Sequence, residues 1–393
     1  MSALSPKLER LLAADYPKFS DAEMARRRAA TADTLAAANA DHLVFCGYNR
    51  SGSAVQWLTQ WPVTAEAIGV FSPCKPDALF VQYVNHAPLA RRFAANAEIV
   101  QWGGESSIRK VIAVLEQRGA QTDRVAVIGP MHFEQHAVLA AKFGAIVNLN
   151  RAYARLRRVK SNEELDWLRL GAHFSDHGMA ALQDAIRPGV SERELGNAIE
   201  RAYVGDGGST GIHYVGTTSM HKSQMAVPRQ YPSARRLGSG DVVVAEITAR
   251  FFDYGGQVLR SFTVGENPTP LYRALHDTAE AAFLAIARIL KAGTTPAQVI
   301  AASRVIEDAG FTIIDDLVHG YGGGYLPPIL GSASRPAGPV PEEPFEAGQT
   351  VVIQPNVVAK DHSAGVQTGE LVVITETGIE ALHSFPAGFT RVG

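Results

Sequence analysis

Cysteine is nearly absent from this chain: 393 residues carry two, Cys46 and Cys74. Two cysteines in apolar or turn contexts exclude a disulfide framework and a thiolate metal centre, and point to the cytoplasm. Charge of one sign is also missing, with a net charge of -2 and only 19% charged residues. That excludes general nucleic-acid binding, which needs a basic excess or stripe. No run of 18 apolar residues occurs, and the N-terminus MSALSPKLERLLAADYPKF has no basic region leading into an apolar core. The sequence therefore predicts neither membrane insertion nor export. A phosphate-cradling glycine loop is lacking too, since Gly103-Gly104 reads as a turn.

What is present is a chain long enough for two full cores. Ser20-Asp21-Ala22-Glu23 reads as a capping box opening an alanine-rich helix to about Ala40. Apolar strands then alternate with helical stretches: strands at His42–Cys46, Ala78–Val84, Arg124–Ile128 and Ala145–Leu149, helices at Ala87–Asn96, Ser106–Gly119 and His132–Phe143. This alternation predicts an α/β N-terminal domain around a mostly parallel sheet, over residues 1–158. The basic run Arg155 to Lys160 reads as a solvated connection, and Ser161 to Glu164 as a second capping box. Leu165, Leu168, Ala172, Met179, Leu182 and Ile186 follow on one helical face. A second domain, residues 159–393, starts here.

That domain is organised around Gly240–Phe262, a predicted buried hairpin with its turn at Asp253 to Gly256 and its second strand from Gln257 to Val264. Glu246 sits inside the apolar run, and a buried carboxylate calls for a partner, a metal or a chemical task. The pattern recurs. Gln354 follows Gly348 by six residues, as Glu246 follows Gly240, and each copy is preceded by a helix end and a capped helix start, Gly189 to Ser191 with Leu195, and Gly293 to Thr295 with Val299. The glycines are 51 residues apart in one copy (189 to 240) and 55 in the other (293 to 348). This is an internal duplication, which predicts adjacent strands with Glu246 and Gln354 facing each other.

The arrangement resembles the pita-bread family of creatinase, prolidase, Xaa-Pro aminopeptidase and methionine aminopeptidase. The resemblance is carried by Gln56 to Thr59, by the entrance helix RRVKSNEELDWLR (157–169), and by Pro232-x-x-Arg235-x-Leu237-x-x-Gly240-Asp241. It implies an α+β pita-bread C-terminal domain with internal duplication behind the α/β domain, and a homodimer. In that family two metals are held by two Asp, one His and two Glu. Carried over by the resemblance, these positions hold Glu246, Gln257, either His319 or Gly323 according to register, Gln354, and Gly369 with Glu370 and Gln367 beside it. The substrate-side histidine falls at Arg229, and the glutamate of the creatinase reaction at Leu259.

Two divalent ions need about four negative charges in their shell, and neutral amides do not supply them. The sequence therefore predicts no cofactor. Glu246 and His319 are the candidate catalytic groups, an acid or base among amides and a histidine before a glycine run. Arg229, Gln257, Arg260, Tyr321, Gln354, Gln367 and His221 are candidate substrate-binding residues. Arg229 and Arg260 are suited to clamp a carboxylate, although Arg260 is equally suited to pair with Glu246. His213 and His221 are placed on a loop over the site. His132, His136, His173 and His177, four apart in two helices, read as surface residues. The functions left open are a metal-independent C–N hydrolase or a lyase acting on a small amino-acid-like, amidine or Xaa-Pro-like molecule with a carboxylate, a pseudo-peptidase that only binds, and a dipeptidase with an atypical metal site.

Overall fold

The computed structural model describes residues 3–48, 53–94 and 96–393, which fall into two compact units, one spanning Ala13–Arg157 and the other Arg158–Gly393 joined by the first residues up to Leu12. The first short helix, α1 (Pro6–Leu12), thus groups with the C-terminal unit.

The N-terminal unit holds α2 (Asp21–Ala37), β1 (His42–Tyr48), α3 (Ala54–Thr59), β2 (Glu66–Phe71), β3 (Asp77–Val81), α4 (Ala87–Phe93), β4 (Ala97–Trp102), α5 (Ser107–Gln117), β5 (Val125–Ile128), α6 (Phe133–Phe143), β6 (Val147–Asn148) and α7 (Asn150–Leu156). Ser20 caps α2 by accepting from the Glu23 amide. The six strands lie in the order β4-β3-β2-β1-β5-β6. The sequence reading missed β2 and β4. In β2 the pattern is broken by Gly69, where an added Cβ would sit 2.1 Å from the Phe45 ring. That glycine reads as a break but serves to seat an aromatic ring. The sheet is also more mixed than expected, since β2 runs antiparallel to both β1 and β3.

In the C-terminal unit the entrance helix α8 (Asn162–Ala185) starts with a complete capping box between Ser161 and Glu164. After it come α9 (Glu192–Arg201), β7 (Ser209–Ser219), β8 (Asp241–Phe251), β9 (Tyr254–Val264), α10 (Pro270–Ile289), α11 (Pro296–Ala302), α12 (Val305–Asp308), β10 (Thr312–Ile313), β11 (Val318–Tyr321), β12 (Tyr325–Leu330), β13 (Thr350–Ile353), β14 (Val357–Val358), β15 (Gly369–Ile374), β16 (Ile379–Ala381) and β17 (Phe389–Val392). Seven of these strands form one sheet in the order β12-β11-β13-β15-β9-β8-β7, with β16 on β15 and β17 parallel to β9.

The basic run before α8 is not simply solvated. Lys160 is buried, and Arg158 reaches Glu343 at 2.6 Å and Glu346 at 2.8 Å. The duplicated turns close alike: Ser191 with Glu194 and Thr295 with Gln298 each complete a capping box, and Leu195 and Val299 are fully buried. The hairpin turn is tighter than expected, with Phe252 and Asp253 alone between β8 and β9 and Phe252 at φ +52°.

Helix α8 lies directly on this hairpin. A Cβ on Gly256 would come 2.2 Å from the Ala172 Cα, so glycine is what permits the contact. Ser175 then joins helix to sheet, accepting from the Ala249 amide at 2.8 Å and donating to the Gly256 carbonyl. Ile247 packs toward Gly178 of α8. Because side chains alternate along a strand, Glu246, Thr248 and Arg250 project from the opposite face.

Candidate active site

On that face the register sets Tyr214 of β7 and Leu259 of β9 across from Glu246, and Gln257 across from Thr248. Glu246 is 7% exposed and accepts from Gln257 Nε2 at 2.8 Å. The same amide nitrogen donates to Gln354 Oε1 at 3.1 Å, and Gln354 Nε2 donates to the Asp316 carbonyl at 3.2 Å. A chain of neutral amides therefore runs from the β8 carboxyl to the strand end before His319. Glu246 and Gln354 are not on neighbouring strands, as the duplication argument required: β9 and β15 lie between β8 and β13. Gln257 spans the gap.

Burial pushes the Glu246 carboxyl up to about 8, and the nearby charge of Asp315 adds to the shift. Arg260 has no part in this. Its register partner is Ala245, so it points away from Glu246. Its guanidinium donates to the Leu259, Gly369, Phe385 and Pro386 carbonyls at 2.8–2.9 Å and pairs with Glu370 at 2.6 Å. Such a fully committed cation holds the C-terminal loop in place and has no donor left for a substrate. The expectations that Arg260 clamps a carboxylate or pairs with Glu246 are both corrected.

His319 lies on β11 and is 1% exposed, with the Tyr325 ring stacked on it at 4.0 Å and 17°. Its Nδ1 lies 3.1 Å from the Gly320 carbonyl; donating there leaves the lone pair on Nε2. Burial lowers the His319 pKa, offset in part by that carbonyl, by Asp316 and by the Gln354 side chain beside the ring, so the ring is neutral. Tyr325 donates to Asp316, whose other oxygen faces Arg335. Tyr321 is buried beside the group, with its ionisation held up by desolvation.

The remaining candidates separate. Gln367 is buried but bonds through its backbone amide to Ser261 at 2.9 Å, and its side-chain oxygen has no partner. His221 is exposed and bound to Glu266 at 2.9 Å, beyond the Asp241 end of β8 and away from Glu246. Arg229 is half exposed, 4.0 Å from Glu192. The predicted loop bearing His213 is strand β7, and His213 Nε2 meets the Tyr203 hydroxyl at 2.5 Å. Tyr214 joins the Glu246 face to an open cavity of about 620 Å³ lined by Glu200, His213, Tyr214, Gln230 and Tyr231. The His173 and His177 rings lie 4.1 Å apart, tilted by 51°, as neighbours on α8.

Sequence reasoning missed Asp315, Asp316, Tyr325, Thr248 and Arg250. The strand period from Glu246 would have found Thr248 and Arg250; the Asp-Asp pair ahead of His319 was visible but carried no motif.

The fold family implies a metal pair, and the donor set does not fit one. The positions carry a single carboxyl of raised pKa, two amides committed to each other, and a neutral imidazole turned to its own backbone. Among the described residues no group of three or more His, Cys, Asp or Glu is placed to hold an ion.

Comparison with known proteins agrees with the fold. Residues 166–376 match the model of metallopeptidase family M24. A probable dipeptidase PepE of Mycobacterium bovis is 28% identical over 245 residues, covering 59% of this chain and 60% of that protein. A Bacillus creatinase is 27% identical over 46% of this chain and 44% of its own. Among solved structures, a Xaa-Pro dipeptidase from Bacillus anthracis superposes with a TM-score of 0.79 at 20% identity, over 94% of this chain and all of that one. The dipeptidase PepE of Mycobacterium ulcerans gives a TM-score of 0.77 at 25% identity, over 95% and 99%. With an N-terminal α/β unit, a duplicated pita-bread unit and a family match across just over half its length, the chain belongs to metallopeptidase family M24, a family of hydrolases.

Proposed function

We propose that the chain is a metal-independent hydrolase of C–N bonds in small amino-acid-like, amidine or Xaa-Pro-like molecules, acting in the cytoplasm. The observation that supports it most is Glu246, a buried carboxyl with a pKa near 8 held by the Gln257 amide in place of a cation. Such a group is a proton donor at neutral pH and recovers a proton easily, as general acid catalysis asks. His319 offers a neutral acceptor nitrogen on the same amide-linked cluster. The chemistry that follows is water activated at the imidazole and a proton passed from Glu246 to the departing nitrogen. The names of the relatives, dipeptidase and creatinase, support small C–N substrates. Two free cysteines and the lack of any long apolar helix among the described residues are compatible with a cytoplasmic setting.

A second reading, a binding module without turnover, is favoured by one observation: Tyr325 covers the His319 ring. Both are tested by assaying the dialysed protein and its Glu246→Gln variant against amidines, N-acyl amino acids and Xaa-Pro dipeptides, with metal content measured alongside. Expected are sub-stoichiometric metal and a loss of about 10²- to 10⁴-fold in the variant. Tightly held stoichiometric metal, or unchanged turnover in the variant, overturns the reading. Turnover of nothing by either protein favours the binding module.

A further inference from the structure

The face that carries Glu246 also carries a cation without an anion. Arg250 lies four residues along β8, roughly 13 Å away at Cα, with Thr248 between them. Among the described residues no carboxylate comes within ion-pair distance of Arg250, and its buried Nε has no hydrogen-bond partner. Two further buried polar atoms next to it are also unpartnered, the Thr248 hydroxyl, on a residue 0% exposed, and the Tyr321 hydroxyl, on one 3% exposed. The Tyr321 hydroxyl, the Thr248 side chain and the Arg250 stem all border the space beside Gly255, yet that hydroxyl completes no hydrogen bond of good geometry. Glycines face the arginine from both neighbouring strands. A Cβ on Gly211 would come 2.7 Å from Arg250 Nε, and one on Gly255 would come 3.2 Å from Arg250 Cγ and 3.3 Å from the Tyr321 hydroxyl.

Unpaired buried donors are rare because each one gives up its water and gains nothing unless something accepts from it. Here a guanidinium and two hydroxyls converge on one spot, and together they match a carboxylate, which accepts several hydrogen bonds and neutralises the charge. We propose that Arg250, Thr248 and Tyr321 form an anion subsite that takes a carboxylate of the bound small molecule. Placing that carboxylate on the substrate rests on the hydrolase reading above; the anion binding itself does not. The subsite does what Arg260 cannot, since that arginine is consumed by the C-terminal loop.

Calorimetric titration of the full chain with N-acetyl-L-alanine and with its primary amide isolates the contribution of the carboxylate. The acid should bind at least tenfold tighter than the amide, and Arg250→Met should lose that preference, as expected when a charged bidentate donor is removed. Thr248→Val and Tyr321→Phe should each weaken the acid several-fold and leave the amide unchanged. Equal binding of acid and amide by the wild type overturns the proposal, as does Arg250→Met binding the acid within threefold of wild type. If Arg250→Met fails to fold by circular dichroism, Arg250→Lys decides. It keeps the charge without two parallel donors, so acid affinity must still fall several-fold, and an unchanged value overturns the subsite. Glu246→Gln should keep the acid preference. Failure of the hydrolase reading then shows as unchanged turnover in that variant, and failure of the subsite as a lost acid preference in the wild type.

Discussion

Glu246 is held in the folded protein with its proton on, and this has a thermodynamic consequence separate from catalysis. Unfolded, a glutamate ionises near 4.5; folded, this one ionises near 8. The folded state therefore binds more protons across that window, so folding free energy declines as pH rises from about 4.5 to 8 and levels off beyond. Glu246→Gln removes the titration and keeps the shape and the Gln257 contact. Chemical denaturation at pH 5 and pH 8.5 should show wild type and variant nearly equal at the lower pH. At the higher pH the variant should be more stable, by at most about 5 kcal/mol. A gap that does not change with pH would place the carboxyl pKa near its ordinary value. The residues around Glu246 also show where a single sequence position misleads: Arg260 looked like a substrate clamp and is a loop anchor, while Arg250 carried no motif and has no carboxylate at ion-pair distance among the described residues.

At the scale of elements, the contact that fixes the site's scaffold is the seat of α8 on the β8–β9 hairpin. It depends on Gly256, with Ser175 bonded to both strands of the hairpin. Gly256→Ala places a methyl 2.2 Å from the Ala172 Cα, too close to be relieved by a side-chain rotation because the obstacle is helix backbone. The helix must lift from the sheet, and overpacking of this sort costs typically about 1–3 kcal/mol or more. Urea denaturation should show a loss of that size; a variant as stable as wild type would mean that α8 is not tightly seated there. The hairpin, the capping box at Ser161, the helix caps at Ser191 and Thr295, and the entrance helix were all legible in sequence, because caps and periodicity are local. Strand β2 was not, since a glycine that makes room for Phe45 looks the same in sequence as one that ends a strand.

At the scale of the whole molecule, the likeness to creatinase-type proteins leads us to propose a homodimer. Light scattering should return twice the 42.1 kDa chain mass, and a monomeric mass at micromolar concentration would remove the proposal. By itself the sequence determined the α/β N-terminal domain, the duplicated second domain, the family, and the replacement of carboxylates by amides around Glu246. Each of these is written in spacing, period and residue type along the chain. Only the tertiary structure decided which groups meet. It separated Glu246 from Gln354 by two strands and bridged them with Gln257, moved His221 out of the site, brought Asp315 and Tyr325 into it, and committed Arg260 elsewhere. The reason is physical: whether a polar side chain is free or committed depends on donors and acceptors brought from distant segments, and the order of strands in a sheet sets which segments those are.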